Sequence, residues 1–191
     1  MPVDFYFDYA SPFAYLASET LASRLPSTEI RFRPVYLRGF DLFAKGVPFS
    51  PAKTQYLARD FHRCADHHGV PHRFPSNFPI NGLYALRGAT WTLKNGGFER
   101  FHAAAYRAAW AEDRNIGDKS VVIEIANEAG LDWEAFAAGI DSPEIKDQLK
   151  AATAEAEARG AFGVPTFFVG DAMFWGHDRM DYVARAARGE A

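Results

Sequence analysis

Ser11 is the residue whose type and place first point to chemistry. It separates the apolar-rich run Val3-Asp4-Phe5-Tyr6-Phe7-Asp8 from Pro12. Serine at an N-cap with proline at the first helical position is a strong helix start. The first N–H groups of a helix lack intrahelical partners and its dipole is positive there, so the position favours an anion. A serine alkoxide is too basic to act as a free nucleophile at neutral pH. The hydroxyl can instead donate a hydrogen bond to a bound thiolate. Plain helix capping is the competing reading. The segment Ser11-Pro12-Phe13-Ala14 lacks a Cys-x-x-Cys pair, and dithiol–disulfide exchange needs two thiols in reach. The single cysteine, Cys64, falls on an apolar helical face and reads as core.

Other candidates are weaker by themselves. Lys53, Tyr56 and Asp60 share a helix face at i, i+3 and i+4 spacing, which usually means a solvated face. His62, His67, His68 and His72 crowd one stretch, but Gly69 and Pro71 break the helix and no tetrahedral metal set is completed. They read as surface, and no metal is expected. Asp178, in Trp175-Gly176-His177-Asp178, is placed to cap a final helix.

Composition bounds the partners. Hydrophobic residues make up 48% of the 191 residues, with 17 Phe, so a real core is expected. The net charge of −3 carries no basic excess for nucleic acid or for a membrane surface. No run approaches the roughly 18 apolar residues of a membrane span. The N-terminal segment does not read as a signal peptide, and one cysteine fits a reducing compartment, so a cytoplasmic location is expected.

The elements that must position these residues follow from periodicity. Val3–Asp8 reads as a buried strand, Pro12 to about Leu25 as a helix and Ile30–Val35 as a second strand, a βαβ opening. From about Phe40 to Gly160 the patterns are mostly helical. Four segments end near Gly69, Gly96-Gly97, Ala109 and Gly130, and a long helix runs from Ser142-Pro143 to Arg159. Val164–Val169 and Ala172–Trp175 read as a hairpin turning at Gly170-Asp171, followed by a helix from about Asp178 to Arg188.

Three stretches together carry a family resemblance: Phe5-Tyr6-Phe7-Asp8-Tyr9-Ala10-Ser11-Pro12-Phe13-Ala14-Tyr15-Leu16, Gly163-Val164-Pro165-Thr166, and Phe174-Trp175-Gly176-His177-Asp178-Arg179-Met180. With Pro51-Ala52-Lys53, Tyr56 and Phe78-Pro79-Ile80-Asn81, the chain resembles the 2-hydroxychromene-2-carboxylate isomerases of the DsbA-like, kappa-class glutathione transferase group. It departs from that family in the loop Lys45-Gly46-Val47-Pro48-Phe49-Ser50-Pro51, which lacks an Asn, and at His177, where Gln or Asn is commoner. The resemblance implies an α/β protein, a thioredoxin-like fold with a large all-helical insertion domain. Residues 1–38 and 160–191 would form the thioredoxin-like part and 39–159 the insertion. It also implies a cis Pro165, glutathione as cofactor and a homodimer.

The site residues implied are Ser11 at the glutathione sulfur, with Lys53, Val164, Pro165, Trp175, Gly176, His177 and Asp178 holding the rest of the tripeptide. Asn81 and Arg87 are the substrate candidates, Arg87 for a carboxylate. The backbone of Val164 would meet an extended peptide as an added strand. Asp178, or the N–H groups beside it, would meet the γ-glutamyl end. The activity implied is isomerisation of an aromatic 2-oxo acid, by thiolate addition that makes a double bond single, rotation, and expulsion. A kappa-type transferase or peroxidase shares these motifs. A non-catalytic thioredoxin-like module that binds peptides at Pro165 is the alternative from another class.

Overall fold

The computed structural model describes every residue except Ala44, Val47 and Ala191, so the Val47 part of the loop departure lies outside the described residues. Four strands form one mixed sheet: β1 (Val3–Phe7), β2 (Ile30–Pro34), β3 (Thr166–Val169) and β4 (Ala172–Trp175), in the order β2-β1-β3-β4. β1 pairs in parallel with β2, Val3 opposite Ile30, and antiparallel with β3, Phe5 opposite Phe167. A central strand is buried on both faces, which is why β1 is rich in Phe and Tyr.

One face carries Phe5, Phe7 and Phe32. It packs on α4 (Phe98–Trp110), with Phe32 and Phe98 centroids 4.8 Å apart. The other face carries Tyr6 and Phe168. There Arg159, just past α7 (Pro143–Ala158), lies 4.0 Å from the Phe168 ring centroid. The Arg159 guanidinium also donates to Asp4 at 3.0 Å and to the Tyr6 hydroxyl at 2.9 Å.

Helix α1 (Pro12–Arg24) joins β1 to β2. Between β2 and β3 lie α2 (Pro51–His68), α3 (Leu83–Asn95), α4, α5 (Lys119–Glu128), α6 (Trp133–Gly139) and α7, and α8 (Met180–Ala187) ends the chain. The expected helices are present. α6 was not anticipated, because seven residues after the Asp132 cap are too short to show a period. The final helix is also split. Residues His177–Arg179 form a 3₁₀ turn, and no side chain caps either that turn or α8. The expected cap by Asp178 is therefore corrected: its carboxylate pairs with Arg179 at 3.2 Å. The strand expected over Val164–Val169 starts at Thr166, since Pro165 has no N–H for a ladder. Among the described residues no helix is long and apolar enough to cross a membrane.

One histidine that periodicity did not single out ties the site to the helices. His102 of α4 is buried, with Nδ1 3.0 Å from the Tyr9 hydroxyl and Nε2 2.9 Å from the Ser18 hydroxyl. Burial lowers its pKa to about 3, so it is neutral at pH 7. The unfolded chain would protonate it near pH 6.5, so the unfolded state binds more protons between about pH 6.5 and 3. Its contribution to stability is therefore complete above pH 6.5 and is lost as pH falls. His102→Gln should flatten the pH dependence of the urea unfolding midpoint between pH 7 and 5. The wild-type contribution at its steepest is about 1.4 kcal/mol per pH unit. Equal slopes for the two proteins would contradict a buried, neutral His102.

Candidate active site

The C-terminal end of β1 and the N-terminal end of β3 meet at the mouth of α1. Ser11 caps α1, its Oγ accepting the Ala14 N–H at 3.2 Å. The same hydroxyl donates to the Val164 carbonyl at 3.2 Å. The Val164–Pro165 bond is cis, as the resemblance implied. The Phe78–Pro79 bond is cis too, which sequence reasoning did not foresee. The Pro165 carbonyl accepts the Gly176 N–H at 3.0 Å, so the segment after β4 is drawn onto the same edge.

These segments form part of the wall of a cavity of about 510 Å³, within the size range of small-molecule sites. Ser11, Lys53, Val164, Pro165, Trp175, Gly176, His177 and Asp178 all line it. Eight residues scattered from 11 to 178 in sequence thus converge on one space. Much of the remaining lining is apolar, including Leu42, Phe43, Phe49, Leu57, Phe74 and Phe78. Lys53 Nζ sits 4.3 Å from the Phe49 ring centroid. Asp60, also on the lining, accepts from Tyr56 at 3.3 Å and Arg63 at 2.6 Å. His177 stacks on Phe13, with centroids 5.1 Å apart and 19° between planes. Burial holds the His177 pKa below its usual value, with Asp178 opposing and the charges of His68 and Arg24 assisting. The neutral form of this stacked ring is thereby favoured.

Gly176 shows a local fit between sequence and site. Its φ is +109°, and a Cβ there would lie 2.5 Å from Asp178 Oδ1. Glycine at this point lets the Asp178 carboxylate fold back beside the cavity.

The structure does not bring every candidate together. Arg87 is absent from the cavity wall. Its guanidinium lies 3.8 Å from Asp141 and over the Tyr84 ring, because its helix face turns toward the α6–α7 junction. Asn81 is not on the wall either. Its Oδ1 accepts the Leu83 N–H at 3.3 Å and the Tyr36 hydroxyl at 3.4 Å. Neither substrate candidate therefore lines this cavity. Arg38, which the sequence showed only as a boundary residue, does line the cavity. Cys64 does not, and burial pushes its thiol pKa up.

Residues 2–188 match the DSBA-like thioredoxin domain family. The chain belongs to the DsbA-like thioredoxin family. Within it, the chain is 31% identical over 189 residues to a 2-hydroxychromene-2-carboxylate isomerase of Sphingobium xenophagum, covering 95% of each chain. It is 27% identical over 200 residues to glutathione S-transferase kappa 1 of Homo sapiens, covering 95% of this chain and 88% of that one. The solved structure of a 2-hydroxychromene-2-carboxylate isomerase superposes with a TM-score of 0.82 at 30% identity, covering 99% of this chain and 95% of that one.

In this DsbA-like chain the thiol of Cys64 stands outside the cavity. Cys64→Ala should leave turnover within about threefold of wild type in steady-state assays. A loss beyond about tenfold with the fold intact would place the thiol in the chemistry.

Proposed function

We propose that the protein is a glutathione-dependent isomerase that interconverts 2-hydroxychromene-2-carboxylate and trans-o-hydroxybenzylidenepyruvate, or a closely related 2-oxo acid of aromatic-compound breakdown. The observation that carries the reading is Ser11 and Val164 held 3.2 Å apart on the wall of an apolar cavity, at the positive end of α1. The likeness to named isomerases across almost the whole chain supports the same choice.

The lining residues fit glutathione. A tripeptide brings a thiol, two carboxylates and an amine. The cavity presents a hydroxyl at a helix start, the cations Lys53 and Arg38, and the carboxylates Asp60 and Asp178. Bound there, glutathione would supply a thiolate that adds reversibly to the conjugated double bond of the ring-opened 2-oxo acid, which turns as a single bond and re-forms when the thiolate leaves; opening the cyclic hemiketal breaks its ring C–O bond and moves the 2-hydroxyl proton to the phenol oxygen.

The chain's own residues orient and stabilise. Ser11 now rests its proton on the Val164 carbonyl. A peptide N–H docked along Val164 as an added strand would take that carbonyl and free the Ser11 proton for sulfur. The start of α1 adds its dipole to the same charge. Arg87 is paired elsewhere, and the aromatic part of the lining would cover the substrate ring. No net oxidation occurs, which agrees with a site that has Ser11-Pro12-Phe13-Ala14 and no cysteine pair.

Transferase activity of the kappa type is the second reading, favoured by likeness to the human protein over 95% of this chain. Free glutathione measured during turnover separates the two: constant for the isomerase, consumed for the transferase. Ser11→Ala should lose about one charge-assisted hydrogen bond, roughly 1.5–3 kcal/mol, or about ten- to a hundred-and-fifty-fold in rate, while keeping glutathione-dependent turnover. Ultraviolet difference absorbance should show a thiolate band with the wild type that Ser11→Ala weakens. If the wild type shows no such band and no turnover, a non-catalytic peptide-binding module replaces this reading.

A further inference from the structure

Asp8 is a buried carboxylate to which the proposed chemistry gives no task. It is 1% exposed and sits just past β1. Its Oδ1 accepts the Ala10 N–H at 2.9 Å and its Oδ2 accepts the Leu37 N–H at 2.8 Å. Its own carbonyl accepts the Ser11 N–H at 3.0 Å and the Tyr106 hydroxyl at 3.3 Å. Ala10 and Ser11, at the start of α1, form one stretch of the cavity lining, and Leu37 and Arg38, after β2, form another.

We propose that Asp8 is the positioning residue that fixes these two stretches relative to each other, setting the distance between Ser11 and Arg38. The proposal rests on reading the cavity as the reaction site. A carboxylate suits the task because each of its oxygens accepts and neither donates. Both bonds go to backbone N–H groups, so they constrain the stretches themselves, whatever side chains these carry. The room for the carboxylate comes from Gly82, where a Cβ would stand 2.7 Å from Asp8 Oδ1.

The electrostatics agree. Burial raises the Asp8 pKa to about 6, against the pull of the two N–H bonds and of the Arg38 charge. The other ionisable groups that feel it are the phenols of Tyr9, Tyr36 and Tyr106, each held above the usual tyrosine value. Protonation places a hydrogen on an oxygen that already faces an N–H, so one of the two bonds weakens as pH falls through 6.

The test uses the ligand-free full chain first. In ¹⁵N-resolved spectra from pH 4.5 to 8, the Ala10 and Leu37 amide protons should shift with one shared midpoint near 6. Asp8→Asn should abolish that shared titration. In turnover assays with 2-hydroxychromene-2-carboxylate and glutathione, Asp8→Asn and Gly82→Ala should each lower kcat/KM roughly ten- to a hundredfold, through misplacement of the two stretches. Gly82 has φ near −82°, which alanine accepts, so this second variant keeps the test open if Asp8→Asn does not fold. Separate midpoints for the two amides, or folded variants that keep kcat/KM within twofold, would overturn the proposal. Failure of the glutathione reading would look different: no thiolate band and no turnover in the wild type, with the amide titration unchanged and deciding alone.

Discussion

The hydrogen bond from Ser11 to the Val164 carbonyl joins residues 153 apart in sequence and ties two parts of the cavity lining together. It forms because β1 is central. Its parallel pairing with β2 fixes the path of α1, and its antiparallel pairing with β3 brings the Gly163-Val164-Pro165 turn to the start of α1. Neither segment alone makes a site. Ser11 without Val164 is a helix cap, and Val164-Pro165 without Ser11 is the approach to an edge hairpin. The sheet order turns two ordinary features into one place where a peptide backbone and an anion can be held together.

Two effects would stabilise the proposed thiolate there, and their sizes can be compared. A helix terminus contributes about 0.3–1 kcal/mol when exposed and up to about 2 kcal/mol when partly buried. A hydrogen bond to a charged group contributes roughly 1.5–3 kcal/mol. The hydroxyl is therefore the larger single contribution, and the dipole is the part that survives its removal. The apolar lining strengthens both, because fewer waters screen the charge. The same burial works against the charged form of groups held inside. It raises Asp8 against the pull of the Arg38 charge and lowers His177 against that of Asp178.

Much of this was legible in the sequence because the elements at the site announce themselves locally. Ser11-Pro12 and Ser142-Pro143 are helix starts by residue chemistry alone, and Gly170-Asp171 between two β-rich runs is a hairpin. The cavity-facing candidates at Lys53 and residues 175–178 came from whole-motif likeness, since their spacing alone means only solvated or capping positions. What stayed hidden was set by tertiary contact. Arg87 looked available until Asp141, 54 residues later, proved to face it. Asn81 looked like a ligand contact until the Leu83 N–H and Tyr36 filled its oxygen. Asp8 read as the polar end of a strand. That both its oxygens meet backbone N–H groups depends on residues 10 and 37 arriving together. His102 sat on an otherwise apolar helix face, with nothing in sequence to name Tyr9 and Ser18 as its partners.

A serine at position 11 suits a borrowed nucleophile better than a cysteine would. A cysteine at a helix start has a depressed pKa and is itself a thiolate near neutral pH. Placed at the sulfur of a bound thiol, it would bring two negative charges together and raise the pKa of one of them. Under oxidising conditions it would also pair with that thiol as a mixed disulfide, removing both from use. A hydroxyl avoids both outcomes. It stays protonated throughout the working pH range, it always has a hydrogen to donate, and it has no redox chemistry with sulfur. Its resting partner, the Val164 carbonyl, keeps that hydrogen satisfied inside a buried site until a better acceptor arrives. With glutathione bound as proposed, an exchange of acceptor from a neutral carbonyl to a charged sulfur would strengthen the bond only in the liganded state. On the proposed reading, that difference is what the position contributes to binding the thiolate in preference to the thiol.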